Sequence, residues 1–156
     1  MSYSKEKMDK KLYKQYLERI VKHLEARGYT VNLNSNTFGF IDEDNTILCP
    51  TKSHGTYSMI CGLLHEAGHT KQPPSVFKDL RKSYKRDQLI IAEQEYTAWS
   101  LGLELADKLD ILDPILYREY IKEWSKYWHG YLLSLFKDGN PRLIEEMMLA
   151  YRDNGT

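Results

Sequence analysis

Met59-Ile60-Cys61-Gly62-Leu63-Leu64-His65-Glu66-Ala67-Gly68-His69 is uncharged until it reaches two histidines four residues apart, with a glutamate directly after the first. On a helix this spacing puts both imidazoles on one face, within reach of a single metal ion. It leaves Glu66 beside the coordination position that the protein does not fill. That is an arrangement for activating water. Ala67, Gly68 and Thr70 keep further charge away from the metal, and Pro73 and Pro74 stop the helix, because proline lacks the N–H donor and its ring clashes with the preceding turn. Cys61 lies on the same stripe as His65 and His69, but Cys61 and His69 are about 12 Å apart along the axis, too far for one tetrahedral ion. Cys61 therefore reads as a core thiol.

The third ligand decides the class of site. A metzincin needs Gly at position 72 and His at 75, where this chain has Gln72 and Ser75. A gluzincin takes a glutamate from a later helix, and Glu93 and Glu95 are the nearest candidates. They point about 200° apart around a helix, so only one can face the metal. Gln88, Ile91, Ala92, Glu95, Ala98, Trp99, Gly102, Leu105, Ala106 and Leu109 follow helical spacing, with Glu95 the one acid on a mostly apolar stripe. A carboxylate there needs a counter-charge, which one Zn2+ ion held by His65, His69 and Glu95 supplies. Ala98, Gly102 and Ala106 are small enough to let this helix approach the HExxH helix closely. Glu66 is then the general base that takes a proton from metal-activated water and passes it to the leaving amine.

His65-Glu66-Ala67-Gly68-His69, followed some two dozen residues later by Glu95-Tyr96-Thr97-Ala98-Trp99, resembles the ImmA/IrrE metallopeptidase family. The resemblance covers roughly residues 55–106. Trp99 stands where that family commonly has Asn, and Lys71 where the extended pattern usually has an apolar residue. It implies a minimal zincin-like domain, often encoded by bacteria, phages or mobile elements, that cleaves a repressor or partner protein as a zinc-dependent endopeptidase. By the same resemblance His65, His69 and Glu95 are ligands and Glu66 the base. The competing reading is a zinc-stabilised binding or regulatory protein in which Glu66 is idle.

The rest of the chain predicts an α+β, mostly helical single domain over residues 1–156. Residues 4–27 carry an amphipathic helical pattern that ends at Gly28. Residues 29–33, 37–41 and 46–49 read as short strands, the last two joined by a turn at Asp42-Glu43-Asp44-Asn45, giving a small antiparallel sheet packed on the HExxH helix. Such a sheet offers an edge to an extended substrate, limited by Pro50. After Pro114 a long aromatic helix carries Tyr117, Tyr120, Ile121, Trp124, Trp128, Tyr131 and Leu135 at core spacing, and a last helix runs through Tyr151. His129 and His54 are the candidate hydrogen-bond donors to the transition state.

With 22 basic and 22 acidic residues the chain is neutral, which argues against a nucleic-acid partner. The basic stretch from Lys78 to Asp87 reads as a solvated connection, or as a wall of Lys82, Lys85 and Arg86 facing an acidic substrate segment. A charged start without an apolar core, no run of membrane-spanning length and only two cysteines point to a cytoplasmic protein that acts on a protein or peptide and does not enter a membrane.

Overall fold

Asp9 starts the first helix. Its carboxylate accepts from the amides of Lys11 (2.9 Å) and Leu12 (3.3 Å), satisfying donors that the first helical turn leaves open. The computed structural model describes residues 7–51, 55–75 and 84–137. Helix α1 (Lys10–Ala26) buries Tyr13, Tyr16, Ile20 and Leu24 along one face and exposes the charged remainder. Gly28, at φ +89°, ends it as the sequence predicts: the amides of Gly28 and Tyr29 turn back onto the carbonyls of Glu25 and Leu24.

Three strands follow, β1 (Thr30–Asn32), β2 (Asn34–Ile41) and β3 (Thr46–Pro50). The turn at 42–45 forms as expected, a 3-10 turn closed by Asn45 in the left-handed region, and makes β2 and β3 an antiparallel pair. The expectation of an antiparallel sheet is corrected, because the sheet is mixed, with the order β1-β3-β2. The chain crosses from one side of β3 to the other at Leu33, so β1 runs parallel to β3, pairing Thr30 with Thr46 and Asn32 with Leu48. The Thr51 hydroxyl donates to the Leu33 carbonyl at 2.7 Å and fastens that crossing. Pro50 consequently ends the central strand, and the edge strand beside the HExxH helix is β2, whose pairing with β3 is irregular between Asn34 and Gly39. Alternation in β3 points Ile47 and Cys49 into the core.

Helix α2 (Tyr57–His69) is the centre of the molecule, capped by the Thr56 hydroxyl on the Met59 amide. It is buried on nearly every side, as a helix surrounded by other elements must be. It packs on β2, β3, α1, α3 (Tyr84–Lys108) and α4 (Pro114–Lys137). It ends at His69, four residues before the first proline. Thr70 donates to the Ala67 carbonyl at 2.6 Å, and Arg27 from the end of α1 binds both the hydroxyl and the carbonyl of Thr70. A cation at a helix C-terminus meets the partial negative charge there.

The crossing of α2 and α3 is close. A side-chain carbon on Gly68 would overlap the Ala98 carbonyl, and one on Gly102 would overlap the Leu64 carbonyl and the Tyr120 hydroxyl. Gly68 beside Ala98 and Leu64 beside Gly102 make the two helices antiparallel. They also place the part of α3 before Glu95 beyond the end of α2. Ile91, expected on the apolar stripe, accordingly has no α2 surface to cover it and is 52% exposed. Asp113 caps α4 on the Leu116 amide (2.7 Å), and its second oxygen accepts a hydrogen bond from the Tyr16 hydroxyl at 2.5 Å, tying α4 to α1. Pro114 opens α4, where its missing N–H costs nothing.

Among the described residues no helix is long and apolar enough to cross a membrane. His54, the side chains of the basic stretch from Lys78 to Asp87, and the last helix expected through Tyr151 lie outside the described residues. Gly68→Ala is expected to force α2 and α3 apart and destabilise the fold by about 1–3 kcal/mol, seen as a fall in Tm of several degrees.

Candidate metal centre

His65 and His69 leave α2 on one face, and Glu95 meets them from α3 across the close crossing. Glu95 Oε2 lies 2.7 Å from His65 Nε2 and 3.4 Å from His69 Nε2. One ligand atom from each of the three residues falls within 4.8 Å of the others. With metal–ligand distances near 2.0–2.1 Å, the edge of a tetrahedral zinc site is about 3.3 Å, and the two His–Glu distances straddle it. Two imidazole nitrogens and one carboxylate oxygen are the donor types that Zn2+ takes when a fourth position is kept for water, so the residues fit that ion.

Glu95, and not Glu93, reaches the histidines. Glu93 is 5% exposed, more deeply buried than the stripe argument implies, and accepts the Ser75 hydroxyl at 2.6 Å, which ties the segment after α2 to α3.

The ligands are held from behind. His69 Nδ1 donates to Gln72 Oε1 at 2.9 Å, which leaves the Nε2 lone pair facing the site. Gln72 Nε2 in turn donates to the backbone carbonyl of Gln94, next to the third ligand. The His65 ring lies flat on the Trp99 indole, with centroids 4.2 Å apart and planes 9° from parallel. Tyr120 packs edge-on to Trp99 and donates to its carbonyl at 2.5 Å, so Trp99 serves as a backing plate for His65.

Electrostatics follow from this closeness. Burial pushes the Glu95 carboxyl up, but the hydrogen bonds and charges of His65 and His69 more than offset it and bring it down to about 2. Burial pushes His69 down, and the Glu95 and Gln72 contacts raise it above the ordinary imidazole value. Glu66, whose Oε1 is 3.7 Å from His65 Nδ1, is raised by burial against the opposing pull of the two histidines.

A cavity of about 340 Å³ opens beside His65, Glu66 and Glu95. Its walls come from β2 (Phe38), α2 (Met59), α3 (Trp99) and α4 (Glu123, Tyr127, Tyr131). Gly62 lets the Phe38 ring lie against α2, where a side-chain carbon would overlap it. Tyr131 was expected in the core. It instead lines the cavity with Glu95, and burial together with the charge of Glu95 raises its hydroxyl to about 12. His129, the expected donor, is exposed and lies outside the cavity wall. The signal for Tyr131 was present in the sequence: Glu123, Tyr127 and Tyr131 recur every four residues as a stripe of their own, beside the core stripe of Tyr120, Trp124 and Trp128. Gln72 carried no such signal, because its bond to His69 needs the turn after α2. Cys61 is fully buried, and burial with the charges of Glu123 and Glu119 holds its thiol well above the usual range, in keeping with a core role.

No family model matches the chain, and neither does a curated protein or a solved structure.

Zn2+ at a hundredfold excess over its Kd is expected to raise Tm by roughly 5–10 °C, and Glu95→Ala to abolish the rise in the same scanning measurement. Gln72→Ala should weaken Zn2+ binding about 10–100-fold in competition with a chromophoric chelator, through loss of His69 orientation.

Proposed function

We propose that this chain is a zinc-dependent endopeptidase of the ImmA/IrrE-like, gluzincin type, with a minimal zincin-like domain, acting on a regulatory or partner protein in a bacterial or phage setting. The observation that carries the reading is the meeting of Glu95 with His65 and His69 across two helices, with the Glu66 carboxylate and an open cavity next to the same point. A structural zinc site is closed by protein ligands, whereas three ligands beside a cavity match a site that keeps a position for water.

Bound there, Zn2+ supplies Lewis acidity towards a peptide carbonyl and lowers the pKa of the attacking water towards about 7. Glu66 takes the proton of that water and returns it to the leaving nitrogen as the C–N bond breaks. Its raised pKa suits both transfers, since a base poised nearer neutral pH accepts and releases a proton readily. Tyr131, protonated at neutral pH, is the donor available to the carbonyl oxygen as negative charge develops on it. Phe38 brings β2 to the cavity wall, so the outer edge of that strand is where an extended substrate segment would pair by backbone hydrogen bonds. Two buried, free thiols at Cys49 and Cys61 suit a reducing, cytoplasmic compartment.

Glu66→Gln is expected to keep one Zn2+ per chain and lose peptide hydrolysis. Tyr131→Phe is expected to lower kcat by about 10²–10³ with a smaller effect on KM. Full hydrolysis by Glu66→Gln would overturn the mechanism, and zinc-dependent stabilisation with no cleavage by the wild type would leave a zinc-stabilised binding protein in its place.

A further inference from the structure

The cavity carries one charge that the centre does not balance. A Zn2+ ion on two neutral imidazoles is offset by the carboxylates of Glu95 and Glu66, so the centre with its base is neutral. Glu123 adds a further carboxylate from α4. It is half-buried, and its charge reaches the buried Cys61 thiol on α2 across the cavity lining. Among the described residues Glu123 forms no ion pair, and no lysine or arginine lines the cavity. Lys126 is close in sequence, but it is exposed, with its ammonium over the Tyr127 ring at 5.8 Å, and lies outside the wall.

The other large side chains of the cavity are aromatic: Phe38, Trp99, Tyr127 and Tyr131 line it together with Glu123, Trp99 being stacked on His65 at 4.2 Å and on Tyr127 at 5.6 Å. Ring faces attract a cation, and a half-buried carboxylate attracts it more strongly than an exposed one, because less water screens the pair. At about 340 Å³ the cavity is at the small end of the roughly 300–1,000 Å³ range of ligand pockets. That is room for one long side chain and its backbone.

We infer that this cavity receives a basic side chain of the substrate, arginine in preference to lysine, and that Glu123 is the residue that selects it. The planar guanidinium forks onto a carboxylate and stacks on aromatic rings, neither of which an ammonium does as well. The inference rests on the metallopeptidase reading of the same site and gives that reading a substrate class. Glu123 is a specificity residue, outside the proton transfers assigned to Glu66.

The test separates recognition from catalysis. The zinc-loaded full chain carrying Glu66→Gln is titrated with blocked alanine hexapeptides bearing arginine, or its neutral isostere citrulline, at each position in turn. Arginine at one position is expected to bind roughly tenfold or more tighter than citrulline. Adding Glu123→Gln should bring that ratio close to one, and Glu123→Arg should turn the preference towards glutamate-bearing peptides, with circular dichroism confirming the fold of both. Equal binding of arginine and citrulline peptides, no binding of either, or a preference that survives Glu123→Gln overturns the inference. The wild-type chain is assayed for hydrolysis of the same peptides. An arginine preference without cleavage would sink the peptidase reading and leave the recognition site standing.

Discussion

The α2–α3 crossing is the constraint on which the rest depends. His65 and His69 meet Glu95 because the two helix backbones come nearer than ordinary side chains allow, and that is achieved by leaving side chains out. Gly68 lies against the Ala98 carbonyl and Gly102 against the Leu64 carbonyl. These contacts sit one turn apart along α2 and bracket His65, so they set the distance and the register between the histidines and Glu95 together. The sheet, α1 and α4 surround α2 and keep the pair in contact. Arg27 on the end of α2 and Asp113 between α1 and α4 close the assembly with charged or polar bonds at helix ends.

His65, His69 and Glu95 interact strongly with one another. Without a cation, the three ligands hold each other: Glu95 is held well below the usual carboxylate range by two imidazoles, and His69 is raised by Glu95. A divalent ion held by His65, His69 and Glu95 would supply positive charge at the same point. Trp99, Tyr120 and Gln72 lie behind these side chains and fix their ring orientation, the kind of arrangement by which outer contacts tune the affinity of a metal site.

Much of this was legible beforehand, and the failures have physical reasons. Periodicity identified the α2 helix, the Glu95 stripe and the small residues of α3, because each is a property of a single helix face. It placed Ile91 wrongly, since a stripe does not say where the partner helix ends. Alternation found all three strands and the turn at 42–45, but three-residue β1 carries no information about its neighbour, and the sheet proved mixed where an antiparallel one was expected. Tyr131 was taken for core because an aromatic at helical spacing looks the same whether it faces a protein interior or a cavity wall.

By itself the sequence determined the local chemistry: two imidazoles and a carboxylate on one face of α2, the carboxylate of Glu95 on a later apolar stripe, and the caps that start and stop the helices. These depend on residues within a few turns of one another. Tertiary structure alone decided which residues support the ligands and which line the cavity. Gln72 reaches His69 and Gln94 only because the chain turns back after α2, and Glu123 and Tyr131 face the centre only because α4 packs across both metal-bearing helices. Such contacts are set by how helices pack, and helix packing depends on surfaces far apart in the chain.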